Sequence, residues 1–147
     1  MRALGLDLGS ERIGVALSTS DGSMATPYEV IVRAGDRVRD HATIARLADE
    51  TGAERLVVGL PLSLDGSDGP AATAARAEAE ELATATGLPV ELWDERFTTV
   101  TADRNLMALD LDARARRRVV DQVAAAVMLQ AWLDHRRRAH SPQEPDR

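Results

Sequence analysis

The sequence predicts an α/β domain built on a five-stranded mixed sheet with helices on both faces. Three observations carry this. Strand-prone runs stand at Ala3–Leu6, Ile13–Leu17, Glu29–Arg33, Leu56–Val58 and Val90–Trp93. The first three follow one another closely, as hairpin-connected strands do, whereas helical stretches precede the last two, the pattern of βαβ units. Gly and Pro mark the junctions, at Gly9-Ser10, Pro27, Gly52, Gly59-Leu60-Pro61 and Gly87-Leu88-Pro89.

The elements follow in order. Gly9-Ser10 reads as the turn of a first hairpin. Asp36 to Thr51 reads as an amphipathic helix with Val38, Ala42, Ala45 and Ala48 on its apolar side and Gly52 as its stop. Leu62 to Gly69 is a polar loop with turn signals Asp65-Gly66 and Asp68-Gly69. Pro70 opens an Ala-rich helix to about Thr86, since proline is tolerated in a first helical turn. Thr98 to Leu109 reads as a further short helix, Asp110 to Arg117 as a charged irregular stretch, and Val119 to Arg137 as the last helix. Residues 1–138 make one domain and 139–147 a short polar tail.

Composition narrows the chemistry. The chain has 147 residues, 44% hydrophobic and 29% charged, which suits a globular domain with a real core. There is no Cys, so thiol chemistry and disulfides are excluded, and no apolar run approaches the ~20 residues of a membrane span. A cytoplasmic location is expected. All 18 basic residues are Arg, which excludes a lysine nucleophile or phosphate-loop lysine. The net charge of −6 is unevenly spread: residues 1–113 carry −10, whereas 114–138 carry +5. That basic end, with Arg114, Arg116, Arg117 and Arg118, suits either a phosphate backbone or a solvated helix flank. Only 3% of residues are aromatic, which argues against a base-stacking platform and for recognition of backbone and shape.

Acidic residues mark the candidate site. Asp7 ends a strand that should be central, where a carboxylate is costly unless paired, hydrogen-bonded or bound to a cation. It serves either as a turn cap or as a ligand. In open α/β sheets, sites lie outside the carboxyl ends of strands, and Asp7, Pro61 and Asp94-Glu95 all stand there. Asp121 shares a helical face with Ala124, Ala125, Met128 and Trp132, as either a helix-start acid or one held inward by a cation. Ala124, Ala125 and Ala126 would let that helix approach the sheet closely. Carboxylates from three distant segments suit a hard, oxygen-loving ion, Mg²⁺ or Mn²⁺, and hence metal-assisted phosphodiester hydrolysis. His41, His135 and His140 lack zinc-site spacing and read as surface residues.

Four motifs then carry a resemblance. They are Gly5-Leu6-Asp7-Leu8-Gly9-Ser10, Val58-Gly59-Leu60-Pro61-Leu62 with Asp65-Gly66, Asp94-Glu95-Arg96-Phe97-Thr98-Thr99, and Val120-Asp121 through Ala124-Ala125 to Leu129-Gln130. In this order, and over Ala3 to Leu133, the chain resembles the YqgF/RuvX family. The resemblance implies a ribonuclease H-like fold, kinship with Holliday junction resolvases, and a nuclease maturing the 5′ end of pre-16S rRNA. It implies Asp7, Glu95 and Asp121 as catalytic acids and metal ligands. It also implies Arg12 as the basic residue beside the first acid. With Arg96, Arg116, Arg117 and Arg118, Arg12 makes up the expected nucleic-acid contacts. Pre-rRNA is the expected partner, with ribosomal precursor particles. Branched DNA is the alternative substrate, and a non-catalytic RNA-binding assembly factor the alternative role.

Glu95 is preferred over Asp94 because neighbours on a strand point to opposite faces, and Asp94 can pair with Arg96. The chain departs from the family at Glu11, where Lys is frequent, at Ser63 for Asn and at Thr101 for Glu. Glu11 lowers the positive potential near the first turn. Asp-Leu-Gly-Ser also resembles the first phosphate loop of the actin, Hsp70 and sugar-kinase superfamily. That fold needs two lobes around a nucleotide, and one copy of the motif in 147 residues does not supply them.

Overall fold

The computed structural model describes residues 1–98 and 113–140, with side chains for 1–98 and 120–139. Five strands form one sheet: β1 (Ala3–Leu8), β2 (Arg12–Ser18), β3 (Ala25–Val32), β4 (Arg55–Leu60) and β5 (Val90–Asp94). Their order across the sheet is β3-β2-β1-β4-β5. The β1–β2 and β2–β3 pairs are antiparallel, and β1–β4 and β4–β5 are parallel. Helices α1 (Arg37–Thr51) and α2 (Pro70–Thr86) cover one face, and α3 (Ala113–His140) covers the other. No helix among the described residues is long and apolar enough to cross a membrane.

The alternation along β1 explains the two layers. Leu4, Leu6 and Leu8 point toward α1 and α2, where they join Ile13, Val15, Leu56 and Val58. Ala3, Gly5 and Asp7 point the other way, beside Gly14 and Ala16 on β2 and Val57 and Gly59 on β4. The small-residue face lets α3 lie unusually close, with Ala125, Leu129 and Trp132 buried against it. A Cβ at Gly14 would stand 2.2 Å from the backbone oxygen of Asp121, and one at Gly5 would stand 2.8 Å from the Leu129 Cβ. Gly14→Ala should therefore push α3 off the sheet at the level of Asp121. A loss of roughly 1–3 kcal/mol in denaturant unfolding is expected, since the obstructing atom is backbone and cannot rotate away. Unchanged stability would mean that α3 slides freely over this face.

Several expectations are corrected. β3 is longer than the expected Glu29–Arg33 and includes Pro27, which is tolerated because β3 is a sheet edge. Helix α3 begins at Ala113, so the expected irregular stretch is helical from there. Ala and Arg are good helix formers, and nothing in Ala113–Arg118 breaks the helix. It also runs past Arg137 to His140. The expected helix from Thr98 to Leu109 and the tail from Ser141 lie outside the described residues, apart from Thr98 itself.

On α1 the buried stripe is Asp40, His41, Ile44, Leu47 and Ala48, while Val38 is 77% exposed. His41 is accordingly not a surface residue: its Nε2 lies 2.8 Å from the Glu78 carboxylate inside the α1–α2 contact. A reading that counts only apolar positions misplaces a helix face whose inward residues include a paired acid and an imidazole.

Candidate active site

Asp7 lies between two glycines. Across β2 its partner is Gly14, and beside it on β4 is Gly59, the residue after Val58, which pairs with Leu6. The space above each glycine is filled by another acidic residue. The backbone of Asp121 sits over Gly14, and a Cβ at Gly59 would stand 2.4 Å from Oε1 of Glu95. Three segments far apart in sequence thus bring their carboxylates to one end of the sheet. The cradle exists because β2 and β4 present no side chain there.

Asp7 couples electrostatically to both of the other acids. Burial raises the Asp7 carboxyl above its ordinary pKa, and the Asp121 charge raises it further. Glu95 is pushed up to about 7, first by burial and then by Asp7 and Asp94. Asp121 is half-buried and accepts a hydrogen bond from Arg12 Nε at 2.7 Å. The expected basic residue beside the first acid therefore spans 109 positions to hold the third.

Asp94 and Glu95 stand in different surroundings. β5 ends at Asp94, and Glu95–Phe97 form a single 3₁₀ turn. The Asp94 carboxylate caps that turn by accepting from the Arg96 amide at 2.9 Å, and it also binds the Arg96 guanidinium, with Nη2–Oδ2 at 2.6 Å. Arg96 holds its carboxyl below the usual range. The same guanidinium donates to the Leu64 carbonyl, tying the 62–69 loop to the turn that carries Glu95. Glu95 instead reaches back over Gly59 toward Asp7.

Arg116, Arg117 and Arg118 fall in the first turns of α3, with Arg117 and Arg118 one turn ahead of Asp121; their side chains are outside the described set. Two of the four aromatics, Trp93 and Phe97, meet each other, and His135 joins them at Trp93. Trp93 lies 5.8 Å from Phe97 and 5.5 Å from His135, ring centre to ring centre, and Phe97 is 66% exposed. A composition count could not have shown this, because the contact joins β5 to the last turns of α3.

These residues suit a divalent cation. The donors are all carboxylate oxygens, and two of the three acids are held protonation-prone by burial and mutual repulsion. Arg12 offsets that charge locally. Among the described residues no three acids stand at ready-made ligand spacing, and Arg12 occupies one oxygen of Asp121.

The profile of the RuvX family, described as a Holliday junction resolvase, matches residues 1–135. The chain belongs to the RuvX family. A relative from Myxococcus xanthus (strain DK1622) is 46% identical over 146 residues, covering 99% of this chain and 93% of that protein. One from Anaeromyxobacter sp. (strain Fw109-5) is 52% identical, covering 92% and 98%. Both carry the name "Putative pre-16S rRNA nuclease". The solved structure of T. thermophilus RuvC with a Holliday junction substrate matches at a TM-score of 0.58 and 17% identity, over 92% of this chain and 95% of that one. That likeness shows the fold, which is ribonuclease H-like. RuvX membership places the chain in a family whose named relatives are nucleases.

Proposed function

We propose that this RuvX-family chain is a divalent-metal-dependent endonuclease acting on an rRNA precursor, with Asp7, Glu95 and Asp121 as the metal-holding acids. The observation that supports it best is the cradle itself: Asp7 flanked by Gly14 and Gly59, with Asp121 and Glu95 occupying the space above them. Bound there, Mg²⁺ or Mn²⁺ would supply an activated water and charge neutralisation at the scissile phosphate. Asp7, at the end of the central strand between Gly14 and Gly59, fixes the floor of the site. Glu95, with a pKa of about 7, can hold or release a proton near neutral pH. Arg12 lies where its guanidinium can turn from Asp121 to a substrate phosphate.

The names of the relatives favour pre-16S rRNA at its 5′ end, within ribosomal precursor particles. The family's description favours a four-way DNA junction as the second reading. Cleavage of a panel separates them: pre-16S leader RNA, single-stranded RNA, linear duplex DNA and a four-way junction, each with Mg²⁺, with Mn²⁺ and with EDTA. Metal-dependent cutting confined to the leader is the expected result. Cutting confined to the junction would transfer the proposal to DNA, and no cutting of any substrate would overturn it.

Arg116, Arg117 and Arg118, so close before Asp121, are assigned to backbone phosphates. Replacing all three by Ala should weaken substrate binding. It should also flatten the slope of log affinity against log salt by roughly 0.7–0.9 for each phosphate no longer neutralised. A filter-binding series across salt checks this, and an unchanged slope would leave the cluster as a solvated flank.

A further inference from the structure

Resting on the metal-centre reading above, we infer that Arg33 is a positioning residue that clamps the turn joining Asp7 to Arg12. Arg33 follows β3 directly and holds that turn at two points. Its Nε donates to the Gly9 carbonyl at 2.7 Å, and its own amide donates to the Glu11 carbonyl at 2.9 Å. The turn thus carries Asp7 just before the first point and Arg12, with its bond to Asp121, just after the second.

The far end of the guanidinium is anchored in turn. Its Nη1 and Nη2 bind the two oxygens of Glu78 at 2.8 and 2.9 Å, and Asp40 stands 3.7 Å from Nη1. Glu78 is almost fully buried on α2, where it also meets His41 Nε2 at 2.8 Å, and Asp40 is fixed by the Ala34 amide. Burial alone would raise the Glu78 carboxyl, yet its bonds to Arg33 and His41 hold it below the ordinary range. A second observation shows why a clamp is needed. The turn overhangs a pocket of about 420 Å³ bordered by Leu8, Ser10, Pro61, Ala71 and Ala75. Arg33 and Glu78 line the same pocket, so their bonds cross the side on which the turn faces open space.

A purely structural ion network would join α1 to α2 and leave the metal site alone; a clamp would not. Arg33→Lys keeps a cation beside Glu78 and Asp40 but removes the Nε–H bond to Gly9. Three readouts apply to the folded variant: amide hydrogen exchange at Gly9 and at position 33, Mn²⁺ affinity by titration calorimetry, and the split between kcat and KM. Exchange at both amides should rise at least tenfold while exchange in the middle of α1 and α2 holds. Mn²⁺ should bind several-fold more weakly, and kcat should fall with KM nearly constant. Glu78→Gln, which removes the nearer of the two carboxylate charges on Arg33 and leaves Asp40, should loosen the same two amides to a smaller degree, and it decides the matter if Arg33→Lys does not fold. Unchanged exchange at Gly9 in the folded variant would overturn the clamp. If the wild-type protein itself bound no Mn²⁺, the metal-centre reading would fail while the exchange data still judged the clamp.

Discussion

Asp7→Asn should abolish cleavage, on the order of 10³-fold or more, without unfolding the protein. The carboxylate it replaces stands at the end of the central strand, in a position where burial and the Asp121 charge both disfavour ionisation. An isosteric amide removes the charge and keeps the shape, so repulsion within the metal-free cluster falls. The melting temperature should therefore hold or rise while turnover is lost. This opposite movement of stability and activity separates a functional acid from a structural one, since a turn-capping Asp would lower both. Metal-dependent turnover retained in the variant would remove Asp7 from the proposed mechanism.

The second large effect is expected at Glu95, and its neighbour supplies the contrast. Glu95→Gln should cut activity by orders of magnitude and weaken Mn²⁺ binding, the loss expected of a direct ligand. Asp94→Asn should leave Mn²⁺ affinity nearly intact. It weakens the cap of the 3₁₀ turn and the pair with Arg96, which is partly open to solvent, while a neutral amide can still accept from the Arg96 amide, so only a modest loss of stability is expected. Arg96 would still reach the Leu64 carbonyl, and the turn would persist. Mn²⁺ titration of the two variants side by side checks this. Loss of metal in Asp94→Asn with retention in Glu95→Gln would exchange the two roles.

Much of this is legible from residue order because it depends on local pattern. The Leu-Gly-Leu-Asp-Leu alternation of β1 already separates a large-residue face from a small one, and the Gly and Pro positions mark most element ends. The alanines after Asp121 announce a close helix, and Gly5 and Gly14 prove to be its landing points. Strand alternation turns Glu95 and Asp94 to different faces, whereas in the structure the strand stops at Asp94 and a 3₁₀ turn aims Glu95 over Gly59.

The rest depends on distant partners. Nothing near Arg12 in sequence names Asp121, and nothing near His41 or Arg33 names Glu78, so a buried imidazole reads as a surface one. The gathering of Trp93, Phe97 and His135 likewise needs the register of β5 against α3. The start of α3 is hidden for a different reason: a dense run of Arg suggests mutual repulsion, yet the backbone propensity of Ala and Arg prevails.

Melting the protein across pH with and without Mn²⁺ tests most directly whether the acids gathered around Asp7 hold a cation. Glu95 has a folded pKa of about 7 against 4.5 in the unfolded chain, so between those values the folded protein binds more protons. In EDTA, stability contributed by this group should be full below about pH 4.5 and be lost as pH rises through 7. With Mn²⁺ present, the decline should flatten, and the melting temperature above pH 7 should exceed that in EDTA, because the ion binds the ionised acids of the folded state. EDTA and Mn²⁺ curves that superimpose from pH 5 to 9 would contradict a metal centre at Asp7, Glu95 and Asp121.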